Sequence, residues 1–254
     1  MKIAIIGSGI AGLTCAWRLA AQHQVTLFEA ASTPGGHTAT VDIATPQGTW
    51  AIDTGFIVYN DRTYPHFIGL LSELGIRGQK TQMSFSVHNP QSGLEYNGHS
   101  LSSLFAQRRN LLKPAFWGLL REIVRFNRLA KQALGGAFDP AATLQTFLER
   151  HRFSPFFARH YILPMGAAIW SSSLQEMRRF PLALFLRFFD NHGLLDIRQR
   201  PQWYVVPGGS REYVRALLVR SGDRLSLRLN TPVQNVIRGQ DGVTLQLATG
   251  EEHF

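Results

Sequence analysis

Cysteine is almost absent from this sequence, which contains only Cys15 among its 254 residues. One cysteine cannot form an intramolecular disulfide, and no paired cysteines or HExxH spacing indicate a zinc site. We therefore predict no metal site and a reducing, cytoplasmic setting. The sequence also lacks the Gly-Lys pair of a phosphate-binding P-loop, which argues against a kinase of that class.

Long apolar runs are missing as well. The start resembles a signal peptide, but the apolar run breaks at Gly7, and Arg18 falls where it should continue. The most apolar later stretch, residues 161–170, is too short to span a bilayer and contains proline and glycine. We expect neither a secretion signal nor a transmembrane helix.

Acidic residues are scarce relative to basic ones. Asp and Glu total 17 against 26 Lys and Arg, which gives a formal net charge of +9. A charge of this sign favours anionic partners such as phosphates, lipid head groups or nucleic acid. Hydrophobic residues make up 44% of the chain, enough to bury the core of one large or two modest domains.

The first part of the chain, residues 1–80, reads as strand, turn, helix and strand. Residues 2–6 form a β-rich run, residues 13–21 have helical periodicity, and residues 24–30 form a second buried strand. This order is typical of an α/β fold.

The rest of the chain divides once more by its pattern. Residues 81–200 are mostly helical with proline and glycine breaks, and residues 201–254 return to β-strands that could share a sheet with the first part. The last predicted strand, residues 243–249, is expected to end without a neighbour, so we interpret the chain as truncated.

A glycine-rich turn, "GSGIAG", joins the first strand to the first helix. Gly7 permits a tight turn, Gly9 lets a phosphate approach the backbone, and Gly12 lets helix and strand pack closely. Glu29 follows at the end of the next strand, where a carboxylate would bind ribose hydroxyls and repel the 2′-phosphate of NADP. NAD and FAD remain. The alternative is an ordinary glycine turn with an exposed Glu29.

A second glycine pair, Gly35-Gly36, follows shortly after Glu29. Its backbone could approach the phosphates or ribityl chain of a flavin cofactor, a contact that nicotinamide enzymes do not generally need. The alternative is a simple Pro-Gly turn.

These motifs, together with "AIDTGFIVYNDRTYPHFIGLLSELGI", resemble the flavin-containing amine oxidase superfamily, which includes monoamine oxidases, protoporphyrinogen oxidases and carotenoid desaturases. The stretches "YILPMGAAIWSSS", "FFDNHGLL" and "WYVVPGGSREYV" resemble a bacterial branch of predicted NAD/FAD-binding oxidoreductases associated with cyclopropane fatty acid synthases. The resemblance covers essentially the whole chain. It implies a Rossmann-like FAD-binding domain of GR2-type architecture, formed by residues 1–80 and 201–254, with an inserted helical substrate domain at residues 81–200.

The resemblance also implies FAD as the cofactor and a set of residues that bind it. The pyrophosphate falls on the glycine turn, the ribose on Glu29, the flavin on the backbone of Gly36, His37, Gly55 and Phe56, and the adenine on the backbone of Val233. The predicted cofactor residues are Gly7, Ser8, Gly9, Ile10, Ala11, Gly12, Glu29, Ala30, Gly35, Gly36, His37, Gly55, Phe56 and Val233.

Thr33 and His37 stand where amine oxidases commonly have arginine, which argues against an amine oxidase proper. Candidate substrate contacts are polar or aromatic residues within apolar stretches, and no catalytic residue is assigned. They are Tyr59, Asn60, Trp170, Ser171, Asn191 and His192. Alternative roles are core packing for Trp170 and, for His192, either a turn or a buried imidazole with its hydrogen bonds satisfied.

A basic segment interrupts the middle of the chain. Residues 107–131 contain seven Arg or Lys and one Glu, with apolar residues from Leu112 to Ala130 at helical spacing and Pro114 at a suitable helix start. Its apolar side could pack into the core, or the helix could lie on an anionic membrane surface through Arg121, Arg125, Arg128 and Lys131. Nucleic acid is the weaker alternative, because no binding motif accompanies the charge.

The sequence therefore predicts an FAD-dependent oxidoreductase that accepts hydride at the flavin N5 atom from a hydrophobic, lipid or fatty-acyl substrate. Two alternatives remain open. One is a flavin amine oxidase acting on a small amine, and the other is a non-catalytic, dinucleotide-binding peripheral protein on the inner face of the membrane.

Overall fold

A computed structural model describes residues 1–98, 100–196 and 200–254 of the chain. The chain divides into two compact units. Met1–Thr81 and Trp203–Phe254 form one, called here the sheet unit, and Gln82–Gln202 forms the other, called here the helical unit.

The strands of the described residues are β1 (Lys2–Ile6), β2 (Gln24–Phe28), β3 (Thr40–Thr45), β4 (Gly48–Asp53), β5 (Tyr59–Asn60), β6 (Gln79–Thr81), β7 (Ser86–Asn89), β8 (Leu94–Asn97), β9 (Trp203–Val205), β10 (Leu225–Arg228), β11 (Val233–Arg238), β12 (Val243–Leu247) and β13 (Gly250–His253). The α-helices are α1 (Ile10–Ala20), α2 (Pro65–Glu73), α3 (Leu101–Leu104), α4 (Pro114–Leu134), α5 (Leu144–Arg150), α6 (Pro155–Phe157), α7 (Leu163–Trp170), α8 (Leu174–Arg178), α9 (Leu182–Asn191) and α10 (Arg211–Ser221). Shorter turns are the 3-10 helices Arg108–Leu112 and Gly222–Arg224 and the π-helix Ala158–Ile162.

The sheet unit is built around a parallel sheet in the order β1-β2-β10. The pairing of β10 with β2 confirms that the first and last parts of the chain share one sheet. Helix α1 connects β1 to β2 and buries Leu13, Ala16 and Ala20, a spacing that places all three on one face. It begins at Ile10, three residues before the predicted start, because Gly9 already serves as its N-cap.

The C-terminal strands form a separate antiparallel sheet in the order β11-β12-β13. The expectation that the strand at residues 243–249 lacks a neighbour is wrong, because the chain turns after Leu247 and β13 pairs with β12. Leu245 and Leu247 of β12 pack with Phe28 of β2 in a small buried cluster.

The helical unit packs its helices around an aromatic core. Phe116, Phe126, Phe157, Phe185 and Phe189 are each at most 1% exposed. Alongside the expected helices, the unit contains the antiparallel hairpin β7-β8, which the sequence did not predict.

Helix α4 starts at Pro114, as predicted, because proline fits the first helical position, where its missing N–H costs no hydrogen bond. This start leaves Leu112 outside the helix. Leu112 ends a 3-10 turn with its side chain 88% exposed, so its predicted place on the apolar side of the helix is wrong.

Candidate functional site

The glycine turn leaves free space at the N-terminus of α1. Gly9 is the N-cap residue, with extended backbone angles, and it provides no side-chain hydrogen bond to the first turn. The first turn has no acidic residue, and a Cβ added at Gly9 would meet no protein atom within 4 Å. Amide N–H groups at such a helix start attract anions, so the turn offers both room and charge complementarity for a phosphate group.

Two close backbone contacts require glycine around this space. A Cβ at Gly12 would lie 2.0 Å from the carbonyl oxygen of Gly7, and a Cβ at Gly55 would lie 2.0 Å from that of His37. Real Cβ atoms do not come this close to a carbonyl oxygen. The amide of Phe56 donates to the same His37 oxygen at 3.0 Å, which ties the segment at residues 55–56 to the second glycine loop.

Glu29 holds the glycine turn from the end of β2. Its Oε2 accepts from the Ser8 amide at 2.8 Å and from the Ser8 hydroxyl at 2.5 Å, and its Oε1 accepts from the Ala31 amide at 2.8 Å. These bonds hold the pKa of Glu29 below its usual value, and the bond from the Ala31 amide contributes most to the lowering. A carboxylate has about four acceptor positions, so capacity remains for a ribose hydroxyl.

Ser8 also binds the second glycine loop. The Gly35 amide donates to the Ser8 carbonyl oxygen at 3.0 Å, and Gly9 and Gly35 form a parallel β-bridge. The Thr231 amide donates to the Glu29 carbonyl oxygen at 2.8 Å, which brings the start of β11, and with it Val233, towards the end of β2. Backbone and side-chain hydrogen bonds thus link the predicted cofactor segments within the sheet unit.

A cleft of about 1220 Å³ opens beside these loops, between α1 and α2. Seven predicted cofactor residues line it: Gly9, Ile10, Ala11, Gly35, Gly36, His37 and Phe56. Sequence reasoning missed other lining residues, among them Thr38 and Tyr213. Their hydroxyl oxygens lie 2.5 Å apart, and burial raises the pKa of Tyr213. They are separated by 175 positions, so no local pattern could have paired them.

Two candidate substrate residues lie in the sheet unit. Tyr59 is buried and stacks on Tyr204 with ring centroids 5.6 Å apart, and burial raises its pKa. Asn60 is fully buried, and its Oδ1 accepts from the amides of Arg62 and Thr63 at 2.9 Å each. The structure therefore gives Asn60 a local role in shaping the turn before α2.

The other four candidates lie in the helical unit, where the structure brings Trp170 and His192 to one aromatic wall. Phe188 lies between them, with its ring centroid 4.8 Å from Trp170 and 3.9 Å from His192. Trp170, Phe188 and His192 are half-buried, and His192 Nδ1 lies 2.9 Å from the Phe188 carbonyl oxygen.

Phe180 extends the wall, 4.5 Å from Trp170 between ring centroids. The remaining two candidates are exposed residues at helix ends. Ser171 terminates α7 in the left-handed conformation, with φ of 48°, and Asn191 is the last residue of α9.

Two kinds of feature are absent from the described residues. Over residues 1–98, 100–196 and 200–254, no group of three or more His, Cys, Asp or Glu side chains could hold a metal ion. In the same part of the chain, none of the helices combines the length and the apolar character needed to span a bilayer.

The sheet unit thus has the glycine turn, acidic residue and second glycine loop of a dinucleotide-binding protein. The chain belongs to the flavin-containing amine oxidoreductase family, whose model matches residues 10–254. Family membership confirms the superfamily resemblance and the predicted cofactor, FAD.

Solved structures show the same fold. The chain is similar to putrescine oxidase bound to putrescine, with 19% identity and a TM-score of 0.65 over 100% of this chain and 56% of that chain. It is similar to cyclohexylamine oxidase from Brevibacterium oxydans IH-35A, with 20% identity and a TM-score of 0.70 over 99% and 56%. An oxidoreductase from Methanosarcina mazei matches with 14% identity and a TM-score of 0.62 over 100% and 57%.

The chain therefore spans a little over half the length of these structures. At this level of identity the similarity establishes a flavin amine oxidase-like α/β fold. The residues of the sheet unit also fit the cofactor on geometric grounds, because the free space at Gly9 lies at the uncapped start of α1.

Proposed function

We propose that the chain belongs to an FAD-dependent oxidoreductase that oxidises a hydrophobic, lipid or fatty-acyl substrate, with a Rossmann-like FAD-binding domain in the sheet unit. The observation that carries the proposal is the free space at Gly9, at the start of α1 and beside the Ser8–Glu29 hydrogen bonds. This arrangement provides amide donors for a pyrophosphate and a carboxylate for a ribose.

Each predicted segment then has a task in holding the cofactor. The first turn of α1 binds the pyrophosphate, and Glu29 binds the ribose while it keeps Ser8 in place. The backbone at residues 35–37 and 55–56 faces the flavin, and that at Val233 faces the adenine. When bound, FAD supplies an atom, its N5, that accepts hydride from the substrate. The protein contributes orientation and exclusion of water, for which a catalytic base is not required.

The aromatic wall of the helical unit supports a hydrophobic substrate. The half-buried rings of Phe180 and Phe188 each lie within 5 Å of the Trp170 ring, and a surface of this kind binds apolar molecules by removing their surface from water. The family branch associated with cyclopropane fatty acid synthases fits such a substrate. Membership of that branch stays a prediction.

A small amine is the second candidate substrate. Aromatic faces also attract cations, so the same wall of Trp170, Phe188 and His192 could receive an alkylammonium group. Two of the structures with this fold are amine oxidases by name, those of putrescine and cyclohexylamine.

Anaerobic reduction of the bound flavin separates these candidates. We expect an acyl lipid to bleach the flavin absorbance and simple alkylamines to leave it unchanged. Phe188→Ala should slow bleaching roughly 2- to 10-fold through the lost ring contact. Leu184→Ala, an exposed position of the same helix, is the matched control and should have no effect.

Two other outcomes of this experiment would favour the alternative functions. Bleaching by amines alone would replace the lipid proposal with the amine oxidase alternative. A protein that binds FAD but is bleached by neither class of compound would support the non-catalytic dinucleotide-binding alternative.

A further inference from the structure

The apolar side of α4 is used inside the protein. Phe116, Leu119, Phe126 and Ala130 are each at most 1% exposed and belong to the core of the helical unit. The predicted apolar side of this basic helix therefore packs into the core, which is the first of the two interpretations that the sequence left open. Any surface that α4 offers to a partner must lie on the opposite side.

That opposite side carries a second set of apolar residues, called here the outer apolar patch. It consists of Leu111 and Leu112 at the end of the 3-10 turn and Trp117 and Val124 on α4, with exposed fractions of 44%, 88%, 47% and 54%. The Trp117 indole donates from Nε1 to the Leu111 carbonyl oxygen at 2.9 Å, which fixes the ring against the turn. Large exposed apolar residues close together mark interaction surfaces.

Cations lie close to these apolar residues in the chain. Among the described residues, Arg108, Lys113, Arg121 and Arg128 have no hydrogen-bond or ion-pair partner for their side chains. The one acidic residue of the segment, Glu122, is occupied as an acceptor from the Ser154 amide at 2.7 Å. This segment therefore combines exposed apolar side chains with unpaired positive charge.

The structure also divides the four cations that the sequence suggested for membrane contact. Arg121 and Arg128 are exposed and unpaired among the described residues. Arg125 instead donates to the His151 carbonyl oxygen and lies 4.7 Å from the centre of the Phe153 ring, and Lys131 pairs with Asp196 at 2.5 Å. Arg125 and Lys131 thus have structural partners within the helical unit.

The spacing places the exposed residues in one row. Positions 117, 121, 124 and 128 are separated by four, three and four residues. This spacing places them on one face of the α-helix, in a row about 16 Å long. Tryptophan, valine and arginines on one helical face match the interface of an anionic bilayer, where tryptophan lies at the head groups and arginine binds lipid phosphates. Nucleic acid would use the arginines but offers no apolar phase for Leu112 and Val124.

We propose that this face, the outer apolar patch with Arg108, Lys113, Arg121 and Arg128, docks on an anionic lipid bilayer. The contact is peripheral, with the aliphatic side chains at the head-group boundary and the cations on anionic lipids. It does not rest on the proposed oxidoreductase function, because it involves neither the cofactor residues nor the aromatic wall.

Cosedimentation with vesicles tests this proposal. We expect the wild-type protein to pellet with phosphatidylcholine vesicles that contain phosphatidylglycerol and to stay in solution with phosphatidylcholine alone. Arg121→Gln with Arg128→Gln should lower the partition coefficient about 30-fold, since each cation near such a surface contributes about 1 kcal/mol. Arg150→Gln with Arg178→Gln removes the same charge from two other exposed positions of the helical unit. This control should change the partition coefficient less than about 2-fold, because only the net charge of the protein is altered.

A second variant pair separates bilayer contact from simple charge attraction. Leu112→Ser with Val124→Ser leaves the charge and the core intact and should still weaken binding several-fold. Quenching of tryptophan emission by brominated lipid should fall in Trp117→Phe.

Three results would overturn the proposal. The first is that the wild-type protein does not bind anionic vesicles. The second is that the Arg150/Arg178 control loses as much binding as the Arg121/Arg128 variant. The third is that the Leu112/Val124 variant binds as well as wild type, with duplex DNA competing for the protein as effectively as lipid. Circular dichroism melting of each variant establishes that the fold is retained.

Discussion

Glu29, at the end of β2, is joined to the glycine turn by hydrogen bonds from Ser8, 21 positions earlier in the chain. Its carboxylate accepts three hydrogen bonds from Ser8 and Ala31, and Ser8 in turn receives the Gly35 amide. The motif alone predicted a ribose contact for this residue. The structure adds a second task, which is to keep the glycine turn in shape before any ligand binds.

Glu29→Gln should therefore weaken both folding and cofactor binding. Loss of charge-assisted hydrogen bonds should lower the free energy of unfolding by about 1.5–3 kcal/mol. FAD affinity should fall by about 1–3 kcal/mol as the ribose contact weakens. Urea unfolding and FAD titration measure the two effects, and Asp241→Asn, an exposed acidic position in the same unit, is the control. If only the FAD affinity changed, Glu29 would have no part in holding the turn.

The same carboxylate makes stability depend on pH in a defined direction. The pKa of Glu29 in the folded protein lies below its ordinary value, because the Ala31 amide and the Ser8 groups bind the charged form. The stabilisation is therefore fully present above the unfolded pKa of about 4.3 and is lost as the pH falls through the folded value. The difference in unfolding free energy between wild type and Glu29→Gln should be constant at neutral pH and shrink in acid. A difference that grew in acid would contradict the assignment.

The Thr38–Tyr213 hydroxyl pair offers a further test beside the cleft. Each of Tyr213→Phe and Thr38→Val leaves one buried hydroxyl unpaired and should cost about 1–3 kcal/mol of stability. The double variant should cost less than the sum of the two single variants, which chemical unfolding of all four proteins measures. Strict additivity would mean that the two hydroxyls do not interact.

Sequence patterns predicted the elements that depend on neighbouring residues. The strand at residues 2–6 and the helix start at Pro114 follow from local periodicity and proline geometry. β13 escaped prediction because Gly250–His253 has no apolar alternation and forms only by pairing with β12. Likewise, Ser210 at the start of α10 donates from its amide and its hydroxyl to Asp53, 157 positions away, a contact that no local pattern contains.

The Asp53 contact gives a prediction for α10. Its carboxylate accepts from Ser210 and from the Thr40 hydroxyl at 2.6 Å, so Asp53→Ala removes the acceptor at the start of the helix that carries Tyr213. We expect a loss of about 1.5–3 kcal/mol in unfolding free energy. Asp241→Ala, the same substitution at an exposed position of the sheet unit, is the control. Equal stability of Asp53→Ala and wild type would show that α10 does not need this acceptor.

The glycine-rich motif should respond differently to substitution at Gly9, the N-cap of α1, and at Gly12, inside the helix. Gly12→Ala places a methyl group against the Gly7 carbonyl oxygen and should destabilise the protein by about 1–3 kcal/mol. Gly9→Ala meets free space with backbone angles that alanine accepts, and the lower entropy of the unfolded chain offsets its poorer N-cap, so its stability should stay within about 1 kcal/mol of wild type. Thermal unfolding of both variants compares them, and a loss of stability in Gly9→Ala as large as that in Gly12→Ala would argue against free space at Gly9.

At the scale of the whole molecule, binding and folding are expected to be linked through the sheet unit. A ligand that binds only the folded state at 100 times its dissociation constant stabilises that state by about 2.7 kcal/mol. FAD should therefore slow hydrogen exchange in peptides that cover residues 7–12, 29–37 and 53–56, measured by mass spectrometry. Slowing confined to the helical unit would contradict the assignment of the cofactor site.

FAD titration of Gly9→Ala against wild type tests the central claim most directly, because the substitution changes the proposed pyrophosphate space without meeting any protein atom. Quenching of flavin fluorescence gives the dissociation constants, and Gly118→Ala, which also meets no atom within 4 Å, is the matched control. The account predicts that wild type and Gly118→Ala bind FAD equally and that Gly9→Ala binds at least about 10-fold more weakly while melting close to the wild-type temperature. Unchanged affinity in Gly9→Ala would contradict a pyrophosphate site at the start of α1.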